Sequence, residues 1–163
     1  MKQIQNYFGG VGGIHIHGED SYQYTISSIK QINERVIPHF DNYPLITQKY
    51  SDYILFKEGI NLINSKKNID KEVFINKIVG LKSSMNNGLL SEVLKASFPN
   101  VVSVPRTIVE SQLLDPQWVA GFVSGEGCFM VKTSVNRNAK LGYGVQLSFQ
   151  ITQNERDIEL LEV

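Results

Sequence analysis

The chain of 163 residues carries a single cysteine, Cys128, which excludes an internal disulfide and a cysteine-based zinc cluster. No apolar run approaches the roughly 18 residues expected of a membrane span, so no membrane partner is expected. The first residues, Met1-Lys2-Gln3-Ile4-Gln5-Asn6, lack the apolar core of a secretory signal. Net charge is absent too: 16 Lys and Arg balance 16 Asp and Glu. A global basic excess therefore does not announce a polyanion binder. The charge is unevenly placed, however. Residues 65–114 hold seven basic against four acidic side chains, and residues 115–163 hold four against six.

What the chain does have is concentrated at residues 118–127, Trp-Val-Ala-Gly-Phe-Val-Ser-Gly-Glu-Gly. Asp115 and Pro116 supply a side-chain cap and a proline at the first helical position. Gly127 reads as the stop, in the left-handed position that favours glycine. Between them Ala120, Gly121, Ser124 and Gly125 fall on one narrow face almost free of side chains, which another backbone can approach closely. Glu126 lies in the last turn, where the helix dipole opposes a negative charge. A carboxylate there calls for a cation.

The remaining pattern is mixed. Residues 9–29 alternate as a hairpin, with Ile14, Ile16, Tyr22, Tyr24 and Ile26 against His15, His17, Gln23, Thr25 and Ser27. Residues 30–41 show a helical period interrupted near Pro38. Residues 47–64 form an amphipathic helix with Tyr50, Tyr53, Ile54, Phe56, Ile60 and Ile63 on its core stripe. Helices are expected over 71–86, ending near Asn87-Gly88, and over 89–97. Residues 99–114 read as an extended linker. A second hairpin alternates Phe129, Val131, Thr133, Val135, Val145, Leu147, Phe149 and Ile151 with Met130, Lys132, Ser134, Asn136, Gln146, Ser148, Gln150 and Thr152. Asn154 caps a helix that starts at Glu155.

These elements give an α+β class. They are expected as two partial units, 1–98 and 115–163, joined by the linker 99–114. Lys132, Ser134, Asn136, Gln146, Ser148 and Gln150 share one sheet face. Amides and lysines on such a face can reach base edges and phosphates, because amides pair with adenine and lysine with guanine. The alternative is a solvated outer face. His15, His17, Gln23 and Thr25 repeat the pattern on the first hairpin; the two histidines lack an evident third ligand for a metal. Glu126 is open to two readings. It is an exposed helix-end acid, or it is a ligand for a hard cation such as Mg²⁺, which takes one or two carboxylates, water and phosphate oxygens.

Val119-Ala-Gly-Phe-Val-Ser-Gly-Glu-Gly127 resembles the signature motif of the LAGLIDADG homing endonucleases. The resemblance continues through Cys128-Phe129, through Phe149-Gln150-Ile151-Thr152-Gln153, and through the block from His39 to Lys49. It implies αββαββα units with antiparallel DNA-binding sheets and motif helices at the interface between units. It further implies that Glu126 and the Gly125 carbonyl bind the metal and that Gln153 orders water near the scissile phosphate. Lys49 lies in the block that supplies a basic residue near the active site. The activity implied is metal-dependent cleavage of both strands of a double-stranded DNA target. Single-chain members carry two motifs and this sequence carries one, so it reads as a central segment, inactive alone, that lacks a second LAGLIDADG helix. An intron RNA maturase, or an inert nucleic-acid-binding remnant or scaffold, is the alternative. Such genes often sit in organellar introns, which places the product in the mitochondrion without an import signal.

Overall fold

The computed structural model describes residues 1–86, 90–107, 115–138, 140, 142–155 and 157. Its contacts divide the chain into unit 1, Met1–Val109, and unit 2, Glu110–Val163. The class is α+β, with two antiparallel hairpins and a majority of helices.

Unit 1 opens with α1 (Lys2–Tyr7), a short helix with no side-chain cap that the apolar pattern does not reveal. Tertiary contacts hold its end: Gln5 Nε2 donates to the Gly12 carbonyl at 3.0 Å, and Phe8 stacks on Tyr24 at 6.3 Å. Then β1 (Gly13–Ile16) and β2 (Tyr22–Thr25) pair with Ile14 opposite Tyr24 and His15 opposite Gln23. Gly12 leads into β1 with φ of +76°, and a Cβ there would stand 2.6 Å from the Thr25 carbonyl oxygen. Only glycine meets both demands.

The helix begun by α2 (Ile29–Gln31) runs through a π-helical turn, Ile32–Val36, into α3 (Ile37–Asn42). The interruption expected near Pro38 is thus a widened turn and not a break. Pro38 has no N–H to offer the preceding turn and its ring crowds the carbonyl four residues back; the wider π turn relieves both.

Next come α4 (Lys49–Ser65), a 3₁₀ turn (Lys66–Asn68) and α5 (Lys71–Ser84), whose start is capped by Asp70 through Glu72 N–H and Val73 N–H. Leu55, Leu62, Phe74 and Leu81 form the buried cluster where α4 meets α5. The expected core stripe of α4 needs correction. Tyr53 and Ile60 are buried, but Ile63 is exposed, while Leu55 and Leu62 point inward. Apolar residues occur nearly all around α4, so the sequence does not fix which arc faces α5.

α6 (Glu92–Ser97) follows, capped by Ser91. Residues 99–107 have no regular structure and belong to unit 1, where they lie on α5. Val104 packs on the core cluster, and the Val102 carbonyl comes within 3.0 Å of where a Cβ on Gly80 would stand. Gly80 lets this strap lie directly on α5. Residues 108–114, and Asn87 and Gly88 at the expected end of α5, fall outside the described residues.

Unit 2 comprises α7 (Pro116–Glu126), β3 (Gly127–Val135) and β4 (Tyr143–Ile151). Asp115 caps α7 as expected, accepting from Gln117 N–H at 2.8 Å and Trp118 N–H at 3.2 Å. Gly127 does not take the expected left-handed conformation: its φ is −82° and its ψ 147°, already that of a strand. Glycine is required there for space, because a Cβ would lie 2.6 Å from the Val123 carbonyl oxygen as helix turns straight into strand. Phe129 pairs with Phe149 and Val131 with Leu147 on one face of the hairpin, and these side chains are largely exposed among the described residues. The helix expected from Glu155 lies mostly outside them. No helix of the described residues is long and apolar enough to cross a membrane.

Candidate functional site

α7 presents two distinct faces. Trp118, Val119, Phe122 and Val123 are half-buried, with Trp118 stacked on Phe122 at 4.8 Å between ring centroids. Ala120, Gly121, Ser124 and Gly125 are exposed, and a Cβ at Gly121 or Gly125 would meet nothing within 4 Å. Among the described residues the small-residue face is therefore bare, with Ser124 turned back to donate to the Ala120 carbonyl at 2.7 Å.

Glu126 ends this helix and is exposed. The last carbonyls of a helix have no intrahelical donor, so the Gly125 carbonyl is free of the helix ladder beside the Glu126 carboxylate. Both are hard oxygen donors set where the helix dipole is negative, an arrangement that suits a cation. No group of three or more His, Cys, Asp or Glu side chains capable of holding a metal occurs among the described residues. One carboxylate and one carbonyl fit a hard divalent cation whose other positions are filled by water and phosphate oxygens.

Strand register brings Gln153 to the same end of the hairpin. Gly127 pairs with Ile151, so Glu126 just before β3 and Gln153 two residues after β4 lie at one rim. Gln153 is half-buried. The proposed nucleic-acid face continues from there: Gln150 opposite Cys128, Ser148 opposite Met130, and Gln146 opposite Lys132, with Ser134 opposite Gly144. Asn136 lies past β3, where its Oδ1 accepts from Asn138 N–H at 3.0 Å and its own N–H donates to Gly142 O at 2.9 Å. Asn136 thus shapes the turn. In unit 1, His15 and Gln23 stand directly opposite on an exposed face, Thr25 is half-buried opposite Gly13, and His17 lies just beyond β1. His15 and His17 are not part of a metal-holding cluster among the described residues.

Lys49 is the first residue of α4, and sequence reasoning missed what surrounds it. Its Nζ donates to Asn86 Oδ1 at 3.3 Å and stands 3.8 Å from Asp52 Oδ2. Asp52 Oδ1 accepts from Arg106 Nη1 at 2.8 Å and from Asn86 N–H at 3.1 Å. Arg106 also donates to the Ser84 carbonyl at 2.6 Å and to the Gln48 carbonyl at 3.1 Å. Burial works to raise the Asp52 pKa, but the hydrogen bonds from Arg106 and Asn86 and the nearby positive charges outweigh it. The carboxyl is held below its usual range. The available signal was Asp52 itself, a carboxylate inside an otherwise apolar stretch of helix.

The His39–Lys49 block has a structural basis of its own. Lys57 Nζ reaches both carboxylate oxygens of Asp41 at 2.7 Å, and the Tyr53 hydroxyl donates to Asp41 Oδ1 at 2.7 Å. Lys57 and Tyr53 thereby lower the Asp41 pKa, while burial and the Asp41 charge raise that of Tyr53. His39 sits among the rings of Tyr7, Phe8, Phe40 and Tyr43. These contacts pin α3 onto α4 and α1.

The LAGLIDADG endonuclease family profile matches residues 1–60 and 119–163. Over 162 residues the chain is 44% identical to probable intron-encoded endonuclease 3 of Neurospora crassa, covering 98% of this chain and 30% of that protein. It is 52% identical over 71 residues to an uncharacterised 50.9 kDa protein in ND4 intron 1 of Podospora anserina, covering 44% of this chain and 15% of that one. Among solved structures it resembles I-SmaMI bound to uncleaved DNA in the presence of calcium ions, with a TM-score of 0.93 and 41% identity, over 99% of this chain and 54% of that one. The chain thus spans about a third of the curated relative and about half of the solved one.

Proposed function

The chain belongs to the LAGLIDADG endonuclease family, and from that premise we propose that it forms part of a site-specific, metal-dependent double-strand DNA endonuclease. The observation that carries this reading is α7, a helix with a bare face of small residues that ends in an exposed carboxylate. Glu126 and the Gly125 carbonyl hold a divalent ion, Mg²⁺ by their chemistry. Bound there, such an ion polarises a phosphodiester and activates water. Gln153, at the same rim, orders that water; Lys49, in unit 1, is a basic residue of the kind that supplies positive charge to a scissile phosphate. A second LAGLIDADG helix packs on the Gly121/Gly125 face and brings its own acid. The polar hairpin faces, with His15, His17, Gln23 and Thr25 on one and Lys132, Ser134, Gln146, Ser148 and Gln150 on the other, read the duplex. The product works in mitochondria, a placement supported by the ND4 intron origin of the Podospora relative.

Incubating the full-length protein with a randomised duplex library tests this. Recovery of one cut sequence in Mg²⁺, and of none in chelator, is the expected result. Duplex binding without cleavage, together with stimulated splicing of an intron RNA, would replace the endonuclease by a maturase. Failure to bind any nucleic acid would leave a scaffold.

A further inference from the structure

A lysine ammonium sits on a flexible four-carbon stem, and an electrostatic contribution to a reaction requires that it be held in place beforehand. Lys49 begins α4, at the positive end of the helix dipole, where a cation is disfavoured. Something must therefore hold it there. Asp52 lies one turn along and is buried, and its two oxygens have separate roles. Oδ1 is occupied by Arg106 and by Asn86 N–H. Oδ2 is buried and accepts no hydrogen bond among the described residues, and the Lys49 ammonium stands 3.8 Å from it. Asn86, at φ +47° after the end of α5, gives the ammonium its second contact through Oδ1. Arg106 arrives from the strap 99–107 and ties Asp52, the Ser84 carbonyl and the Gln48 carbonyl into one knot. Three separate segments thus converge on the setting of one lysine.

We propose that Asp52 is a positioning residue for Lys49, held in register by Arg106, with Asn86 as the second anchor of the ammonium. The proposal rests on the reading of Lys49 as the basic group beside the scissile phosphate. The alternative is a clamp that only joins the strap to α4 and α5.

Two variants separate these. Asp52→Asn keeps Oδ1 as acceptor for Arg106 and Asn86 N–H, removes the charge shared with Arg106, and turns an amide nitrogen toward Lys49. Asn86→Gly suits the left-handed backbone and keeps the N–H to Asp52, but deletes the acceptor of Lys49. In the full-length protein, single-turnover cleavage of the selected duplex in Mg²⁺ is expected to slow about tenfold in each, because small misplacements of a catalytic charge have effects of at least this size. Duplex affinity should stay unchanged. In a Lys49→Ala background neither change should slow cleavage further, since the group they act through is gone. Equal slowing in both backgrounds would overturn the proposal and leave the clamp. A second measurement does not depend on cleavage. The ¹⁵N-resolved ammonium signal of Lys49 should be observable in the wild type and weaken in Asp52→Asn and Asn86→Gly. If the wild type cuts no duplex, the endonuclease reading fails and this signal still decides: identical ammonium spectra in all three proteins would overturn the positioning.

Discussion

Replacing Arg106 by methionine leaves Asp52 buried with its main partner removed, and the cost follows from the bonds that Arg106 makes. It donates to Asp52 Oδ1 and to the carbonyls of Ser84 and Gln48. Removing one partner of a buried ion pair costs about 3–5 kcal/mol. Arg106 keeps some access to water, and Lys49 remains 3.8 Å from Asp52, so a loss of about 3 kcal/mol at neutral pH, the low end of that range, is expected. The loss should depend on pH. In the wild type the folded carboxyl titrates below the unfolded one, so its contribution is complete above the unfolded pKa of about 4 and is lost as the pH falls through the lower folded value. In Arg106→Met, burial is no longer outweighed and the folded carboxyl moves upward. Its penalty is then present at neutral pH and fades as acid protonates it. Urea unfolding followed by circular dichroism should show the gap between the two proteins shrinking from about 3 to under about 1 kcal/mol between pH 7 and pH 3. A gap that stays constant across that range, or is below about 1 kcal/mol at neutral pH, would refute the role given to the pair.

Other positions test the packing. Leu81 is buried in the cluster between α4 and α5, and Leu81→Ala should lower unfolding stability by about 2–5 kcal/mol; a loss under about 1 kcal/mol would mean the cluster is loose. Gly12→Ala meets both a positive φ and the Thr25 carbonyl. It should cost more than about 1 kcal/mol in the same assay, and an unchanged midpoint would contradict the tight approach of Gly12 to β2.

Much of the arrangement was legible in residues. Strict alternation assigned residues to the two faces of each hairpin, and the observed pairs, His15 with Gln23 and Phe129 with Phe149, fall on the faces so assigned. Asp115-Pro116 marked the start of α7 because a cap and a proline act locally. What escaped depends on contacts distant in sequence. The π turn before Pro38 keeps a helix running where proline suggests a stop. The inward arc of α4 is chosen by α5, and Gly127 serves a steric need that imitates a capping signal. The setting of Lys49 joins positions 49, 52, 86 and 106, a pattern that no local spacing encodes.

We propose that Glu126 carries the metal chemistry of this family in this chain. Glu126→Gln keeps the size and exposure of the side chain and removes the charge proposed to hold a divalent ion. In the full-length protein, Mg²⁺-dependent cleavage of the selected duplex should fall at least about 100-fold, with duplex affinity unchanged, as expected when an interaction made in the transition state is removed. Cleavage by Glu126→Gln at the wild-type rate would contradict the account.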